Sequence, residues 1–161
     1  MSIIDTLIYD RTQADVTRWQ RLQGNEFRNL TPSEQAEWMG GMKGSYNPVN
    51  DMNRVGLAVA YIAGLLAEYG YIVDVSPKTD WGIGDEPILA QLERYQADVA
   101  TIRGVVGAFA TTPEAPPDVY GLTWQEANDI EKILLDVDRV LAIIASTFVA
   151  CGEATSGGDY L

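Results

Sequence analysis

Three stretches of this chain place apolar residues in alternating steps of three and four, and this spacing constrains the fold more than any other feature. Met52, Val55, Val59, Ile62, Leu66 and Tyr69 form the first stripe. Leu92, Tyr95, Val99, Ile102, Val106 and Phe109 form the second. Ile130, Leu134, Val137, Leu141, Ile144 and Phe148 form the third. A mean step of about 3.5 is the seam of helices packed side by side, and strand-like alternation is almost absent. The spacing predicts an all-α helical bundle with long amphipathic helices over 51–69, 86–110 and 123–151.

End signals agree with those limits. Asn50 suits the cap of the first long helix and Gly70 its stop. Asp85 and Pro87 suit the start of the second. Thr123 with Glu126 makes a capping box for the third, and Gly152 suits its end. Two short helices precede these. Thr12 and Asp15 open one that reaches Leu22, and Thr31, Pro32 and Glu34 open another that Gly40 and Gly41 stop. The first long helix has a second face of small residues, Gly56, Ala60, Ala63, Gly64 and Ala67, which places it at the centre of the bundle. Residues 71–84 hold a short strand at 71–75 or an extended loop, and the proline-rich stretch 111–120 is a surface crossover. One helical domain over 1–161 is expected, with 1–9 as an N-terminal arm and 153–161 as a flexible tail.

Composition removes several functions. The formal net charge is -12, divided as -3 over residues 1–80 and -9 over 81–161. Such a surface repels phosphate backbones, so no nucleic-acid partner is expected. The N-terminus, "MSIIDTLIYDR", has neither a basic region nor a long apolar core and is not a secretory signal. The uncharged runs 55–67 and 140–152 have 13 residues each. A membrane span needs about 20, so both read as buried core helices. The single cysteine, Cys151, leaves no internal disulfide.

The segment 40–54, "GGMKGSYNPVNDMNR", tests for nucleotide chemistry. A phosphate-cradling loop needs a buried strand before its glycines and a helix starting directly on its lysine. Here a capped helix precedes Lys43, and several residues separate that lysine from the next cap. The segment reads as a joint between two helices. A calcium loop opening at Asp51 fails because Val55 and Ile62 stand where oxygen ligands are required. The chain has no histidine, which removes the Ser-His-Asp and Cys-His arrangements and the commonest zinc ligand. Cys151 falls at a helix C-terminus, where the dipole disfavours a thiolate. The carboxylates read as helix surface. Arg94 with Asp98 is one such pair, and Asp136 and Asp138 do not share a face. No catalytic, cofactor-binding or metal-ligating residue is expected, so the chain reads as non-enzymatic.

Three segments taken together resemble a known module. They are "YDRTQADVTRWQRLQ", "LTPSEQAEWMGGMKGSYNPVNDMNRVGLAVAYIAGLLAEYGY" and "GLTWQEANDIEKILLDVDRVL". The module is found in phage and prophage proteins of Gram-positive gut bacteria, as a virion-associated tail or baseplate component, alone or joined to fibre-like segments. The resemblance runs from about Tyr9 to Ala150. It implies a structural protein of the virion, made in the host cytoplasm and acting in tail, baseplate or fibre assembly. It implies other virion proteins and further copies of the chain as partners, and no enzymatic residue.

Candidate contact residues follow from residue type. Ile3, Ile4, Leu7 and Ile8 are apolar near a terminus and suit docking on a neighbouring subunit. Trp38, Tyr46, Trp81 and Tyr160 are of the aromatic kind enriched at interfaces. The alternative reading is an acidic, phage-encoded binding module that targets a host protein through the charge of its second half.

Overall fold

The computed structural model describes residues 1–152, with side chains through Thr147. Five helices carry the fold: α1 (Gln13–Gln23), α2 (Pro32–Gly40), α3 (Asn53–Glu68), α4 (Leu89–Val105) and α5 (Trp124–Gly152). The all-α bundle expected from the stripes is the observed architecture. Val55, Val59, Ile62 and Leu66 of α3 meet Val99 and Ile102 of α4 and Ile130, Leu134, Val137 and Leu141 of α5 in one core. Each such side chain contributes about 1.5–3 kcal/mol by leaving water. Tyr69 and Phe109, at the ends of their stripes, are exposed.

The long connections explain how α3, α4 and α5 lie. After α3 the chain turns at Gly70 (φ 84) and runs back along the helix. Lys78 lies over Gly56, where a Cβ would sit 2.5 Å from the Lys78 carbonyl oxygen. Trp81 reaches Asn53 at the start of α3. After α4 the chain again runs back. Arg103 donates to the Pro113 carbonyl (2.6 Å) and Gln96 to the Pro116 carbonyl (3.1 Å). Two returning connections make the three helices parallel. A helix of 16 residues is about 24 Å long, so each return needs at least about seven extended residues.

α1 and α2 form an antiparallel hairpin beside this bundle. Thr12 and Thr31 cap them in reciprocal boxes with Asp15 and Glu34, and Pro32 occupies the first turn of α2. Arg18–Glu37 (2.5 Å) and Arg21–Glu34 (2.9 Å) tie the two helices. Leu22, Leu30 and Met42, with Trp19 against them, make a small core of their own. The hairpin joins the bundle closely at Gly44, where a Cβ would sit 2.0 Å from the Asp15 carbonyl oxygen.

Several local expectations are corrected. Of the two readings of residues 71–84, the extended loop is the one observed: residues 71–75 form no strand, and none is present among the described residues. The segment instead gives the Ser76 N–H to Asp98 (3.2 Å) and the Asp74 carbonyl to Arg94 (3.0 Å). α4 starts at Leu89 rather than 86, because Pro87 disfavours helix at Glu86 and Ile88 is extended. It ends at Val105, since Val106 is extended. Asn47, not Asn50, is the cap at the joint. Its Oδ1 accepts from the Asn50 N–H (2.9 Å), and a π-turn, Pro48–Met52, leads into α3. The small-residue face of α3 is mostly outward. Gly56 is buried and Ala63 half-buried, but Ala60, Gly64 and Ala67 are exposed, so α3 enters the core by its apolar stripe and not by this face.

Candidate functional site

The densest polar constellation is a buried node of four ions. Arg11 precedes α1, Asp51 lies in the π-turn, Arg54 opens α3 and Glu131 lies in the second turn of α5. The Arg11 Nη2 lies 2.7 Å from Glu131 Oε1 and 3.0 Å from Asp51 Oδ1. Arg54 donates through Nε to Glu131 Oε2 (2.9 Å) and through Nη2 to Glu131 Oε1 (2.8 Å) and Asp51 Oδ1 (2.6 Å). Backbone groups complete the set. Ile8 N–H donates to Glu131 Oε2 (2.6 Å), Arg11 Nη1 donates to the Ile8 carbonyl (2.5 Å), and Asn47 N–H donates to Asp51 Oδ2 (2.8 Å). Two cations and two carboxylates make the node formally neutral.

Aromatic side chains wall it. The Arg11 guanidinium lies over the Tyr46 ring, 5.4 Å from its centroid, and the Tyr46 hydroxyl is hydrogen-bonded to that of Tyr95. Burial, and then the negative charge of Glu131, pushes the Tyr46 hydroxyl well above the ordinary tyrosine range. Burial does the same to Tyr95, with Tyr46 adding to it. For Arg54, burial works against the charge, but the bonds and charges of Glu131 and Asp51 outweigh it and hold the guanidinium above its usual range. Asn128 adds a two-sided clasp. It accepts from the Arg11 N–H (2.9 Å) and donates to the Arg11 carbonyl (3.0 Å).

Two more carboxylates are sealed in. Asp98 is 2% exposed and accepts from Ser76 N–H, with the Arg94 Nε 2.8 Å away as an ion pair poorly aligned for a hydrogen bond. Burial raises its pKa. Asp136 accepts from the Thr112 hydroxyl (2.9 Å) and pairs with Lys132. The expectation that Arg94–Asp98 is an ordinary surface pair is therefore corrected: Asp98 pins the returning connection to α4. Sequence reasoning missed Arg11, Asp51, Glu131, Asp98 and Asp136 as buried groups and Arg54 as their half-buried partner. A signal for Glu131 was present, because Ala127, Ile130, Leu134 and Leu135 surround it on the helix surface.

Lys43, the lysine of the glycine-flanked joint, pairs with Asp10 (2.8 Å). The segment before it is α2, and Gly41 (φ 86) turns the chain there. Among the described residues no group of three or more His, Cys, Asp or Glu is placed to hold a metal ion. Among them also no helix is long and apolar enough to cross a membrane.

The seven candidate contact residues that are described do not form one exposed surface, because Ile4, Leu7 and Trp81 belong to the core. Ile4 and Leu7 fill the chain's own core, held by a one-turn 3-10 helix, Ile3–Thr6, that Ser2 caps. Ile3 and Ile8 are half-buried beside them. For these four to face a neighbour, the N-terminal segment has to exchange between copies. Trp81 is buried under Lys78, and its backbone is clasped by the Asn53 amide (2.8 and 3.0 Å). Tyr46 is half-buried at the node, and Trp38 stands exposed on α2. Tyr160, the 153–161 tail and the side chains of Phe148 and Cys151 lie outside the described residues.

No family model matches this chain, and no curated protein or solved structure matches it either.

Proposed function

We propose that the chain is a non-enzymatic structural protein of a phage virion, acting in tail, baseplate or fibre assembly with other virion proteins and with copies of itself. One observation carries the structural half of this reading. The three segments that bear the resemblance supply Arg11, then Asp51, Asn53 and Arg54, then Asn128 and Glu131, and all six bond within the chain. Their polar groups hold segments together and leave no free acid, base or nucleophile among them. A neutral, sealed node suits a part whose task is to keep one shape in an assembly.

The test is to induce particles from the source strain, purify them and quantify this chain by peptide mass spectrometry against a tail-tube or capsid protein. A fixed copy ratio is the expected result. Absence from intact particles, with abundance in infected cells, would overturn it in favour of the acidic host-directed module. Removal of residues 1–9 separately tests the terminal contacts. Because Ile4 and Leu7 belong to the core, the truncated chain is expected to lose stability as well as assembly.

A further inference from the structure

Two clefts meet where the α1–α2 hairpin lies on the bundle. One of about 520 Å³ opens between α1, the joint at Gly44–Tyr46 and the first turn of α5. The other, of about 260 Å³, opens between α1, α2 and the start of the π-turn. They share Trp19, Ser45 and Tyr46 and so form one trough.

The lining of this trough departs from the rest of the surface. Three of the chain's 4 tryptophans, Trp19, Trp38 and Trp124, line it. So do six amide side chains: Gln13, Gln20, Gln23, Asn47, Asn50 and Gln125. Among the described residues, no carboxylate and no lysine does. The single ion is Arg11 at the floor, already neutralised by Asp51 and Glu131. On a chain with a net charge of -12, a groove free of carboxylates is the exception.

We propose that this trough binds a neutral oligosaccharide. Tryptophan faces carry negative potential and attract the polarised C–H groups on the flat side of a sugar ring. Amides not already bonded within the chain, such as those of Gln20 and Gln125, present two donors and an acceptor, which matches hydroxyl groups that both donate and accept. The larger cleft alone has the volume of an ordinary small-molecule site. The walls are set in advance: Trp124 Nε1–H donates to Gln13 Oε1 (3.3 Å), and Tyr46 is fixed between Arg11 and Tyr95. Little ordering is then needed on binding. A proline-rich peptide also uses aromatic grooves, but proline has no N–H and would leave the amide acceptors unmatched.

The inference does not depend on the virion role. It is tested on the full chain by tryptophan fluorescence and saturation-transfer NMR at millimolar ligand. The probes are tetrasaccharides of α- and β-linked glucose, N-acetylglucosamine, galactose and mannose. At least one is expected to bind saturably. Trp19→Ala and Trp124→Ala are expected to weaken it by about tenfold. Gln20→Ala and Gln125→Ala change exposed side chains, so they are expected to lose several-fold in affinity with unchanged helical circular dichroism. Asn29→Ala, an exposed amide outside the trough, is expected to bind like the parent. No binding by any tetrasaccharide would overturn the proposal. So would equal binding by the tryptophan and glutamine variants, or a proline-rich peptide occupying the trough instead.

Discussion

The bundle and the hairpin use the same chemical pair in opposite settings. In the bundle, Arg11 and Arg54 share Asp51 and Glu131, and the side-chain exposures are 2%, 13%, 5% and 0%. In the hairpin, Arg18 and Arg21 reach Glu37 and Glu34 across the surface with 47% and 55% of their side chains in water. Water and salt screen the hairpin pairs, so they add little to stability. Burial removes that screening at the node and makes each ion depend on the others. An ion set this buried is no stronger than packed apolar side chains, but it tolerates no missing member. The node therefore specifies which segments meet, while the hairpin pairs only decorate a contact that Leu22, Leu30 and Met42 already make.

The comparison breaks or holds first on Glu131. Glu131→Ala leaves Arg11 and Arg54 facing each other in the interior with one carboxylate between them. The expected loss is about 3–5 kcal/mol, a large part of the stability of a domain this size. Urea unfolding followed by circular dichroism measures it. Replacing all four ions together by apolar residues of similar volume is expected to lose less than the single change. If the single and quadruple variants unfold alike, the node acts as ordinary packing and the contrast with the hairpin fails.

Alkaline titration sharpens the same contrast next. Tyr46 and Tyr95 keep their protons in the fold well above the ordinary value of 10.0. The unfolded chain gives them up near that value, so above it the folded state binds more protons. Stability is thus fully present below about pH 10 and falls as pH rises through the folded values. The slope approaches about 1.4 kcal/mol per pH unit for each tyrosine. Tyr46→Phe is expected to reduce that slope. An unchanged slope in Tyr46→Phe would show that the two hydroxyls do not set the alkaline limit.

Gly44→Ala tests whether the two regions are coupled at all. A methyl group there meets the Asp15 backbone, and neither backbone is free to yield. The hairpin is expected to lift from the joint, with a loss of about 1–3 kcal/mol. Hydrogen exchange should locate faster opening in α1 and α2, while the α3 and α5 amides stay protected. Uniform loss of protection would mean that hairpin and bundle unfold as one unit.

Much of the bundle was legible because helix period alone fixes which side chains face inward. Val59, Ile62, Leu134 and Val137 are core by spacing, and Thr31 and Thr123 announce their helix starts through Glu34 and Glu126. The direction of the helices was not legible. A loop of given length joins antiparallel neighbours or returns along a helix equally well, and only bonds such as Arg103 to Pro113 decide. The node was hidden for a related reason. Arg11 and Glu131 are 120 residues apart, and each alone resembles a surface charge beside an apolar stripe. The trough draws on α1, α2, the joint and α5, so no local pattern announces it.

The smallest effect is expected at the start of α2, and its sign separates hairpin from bundle. The Thr31 N–H, then Arg21 and the Thr31 hydroxyl, hold the Glu34 carboxylate down to about 2 from an ordinary 4.5. The folded state therefore binds fewer protons than the unfolded chain between those values. The contribution is present above pH 4.5 and is lost as pH falls towards 2. Acid should thus loosen the hairpin, where alkali loosens the bundle. Thr31→Ala removes the cap and is expected to lower stability by about 1 kcal/mol near neutral pH. Arg21→Ala, which removes only the exposed partner, is expected to leave the urea midpoint unchanged at physiological salt. Amide exchange in α2 at falling pH distinguishes these outcomes. A loss in Arg21→Ala as large as that in Thr31→Ala would mean that the surface pair, not the cap, holds the hairpin.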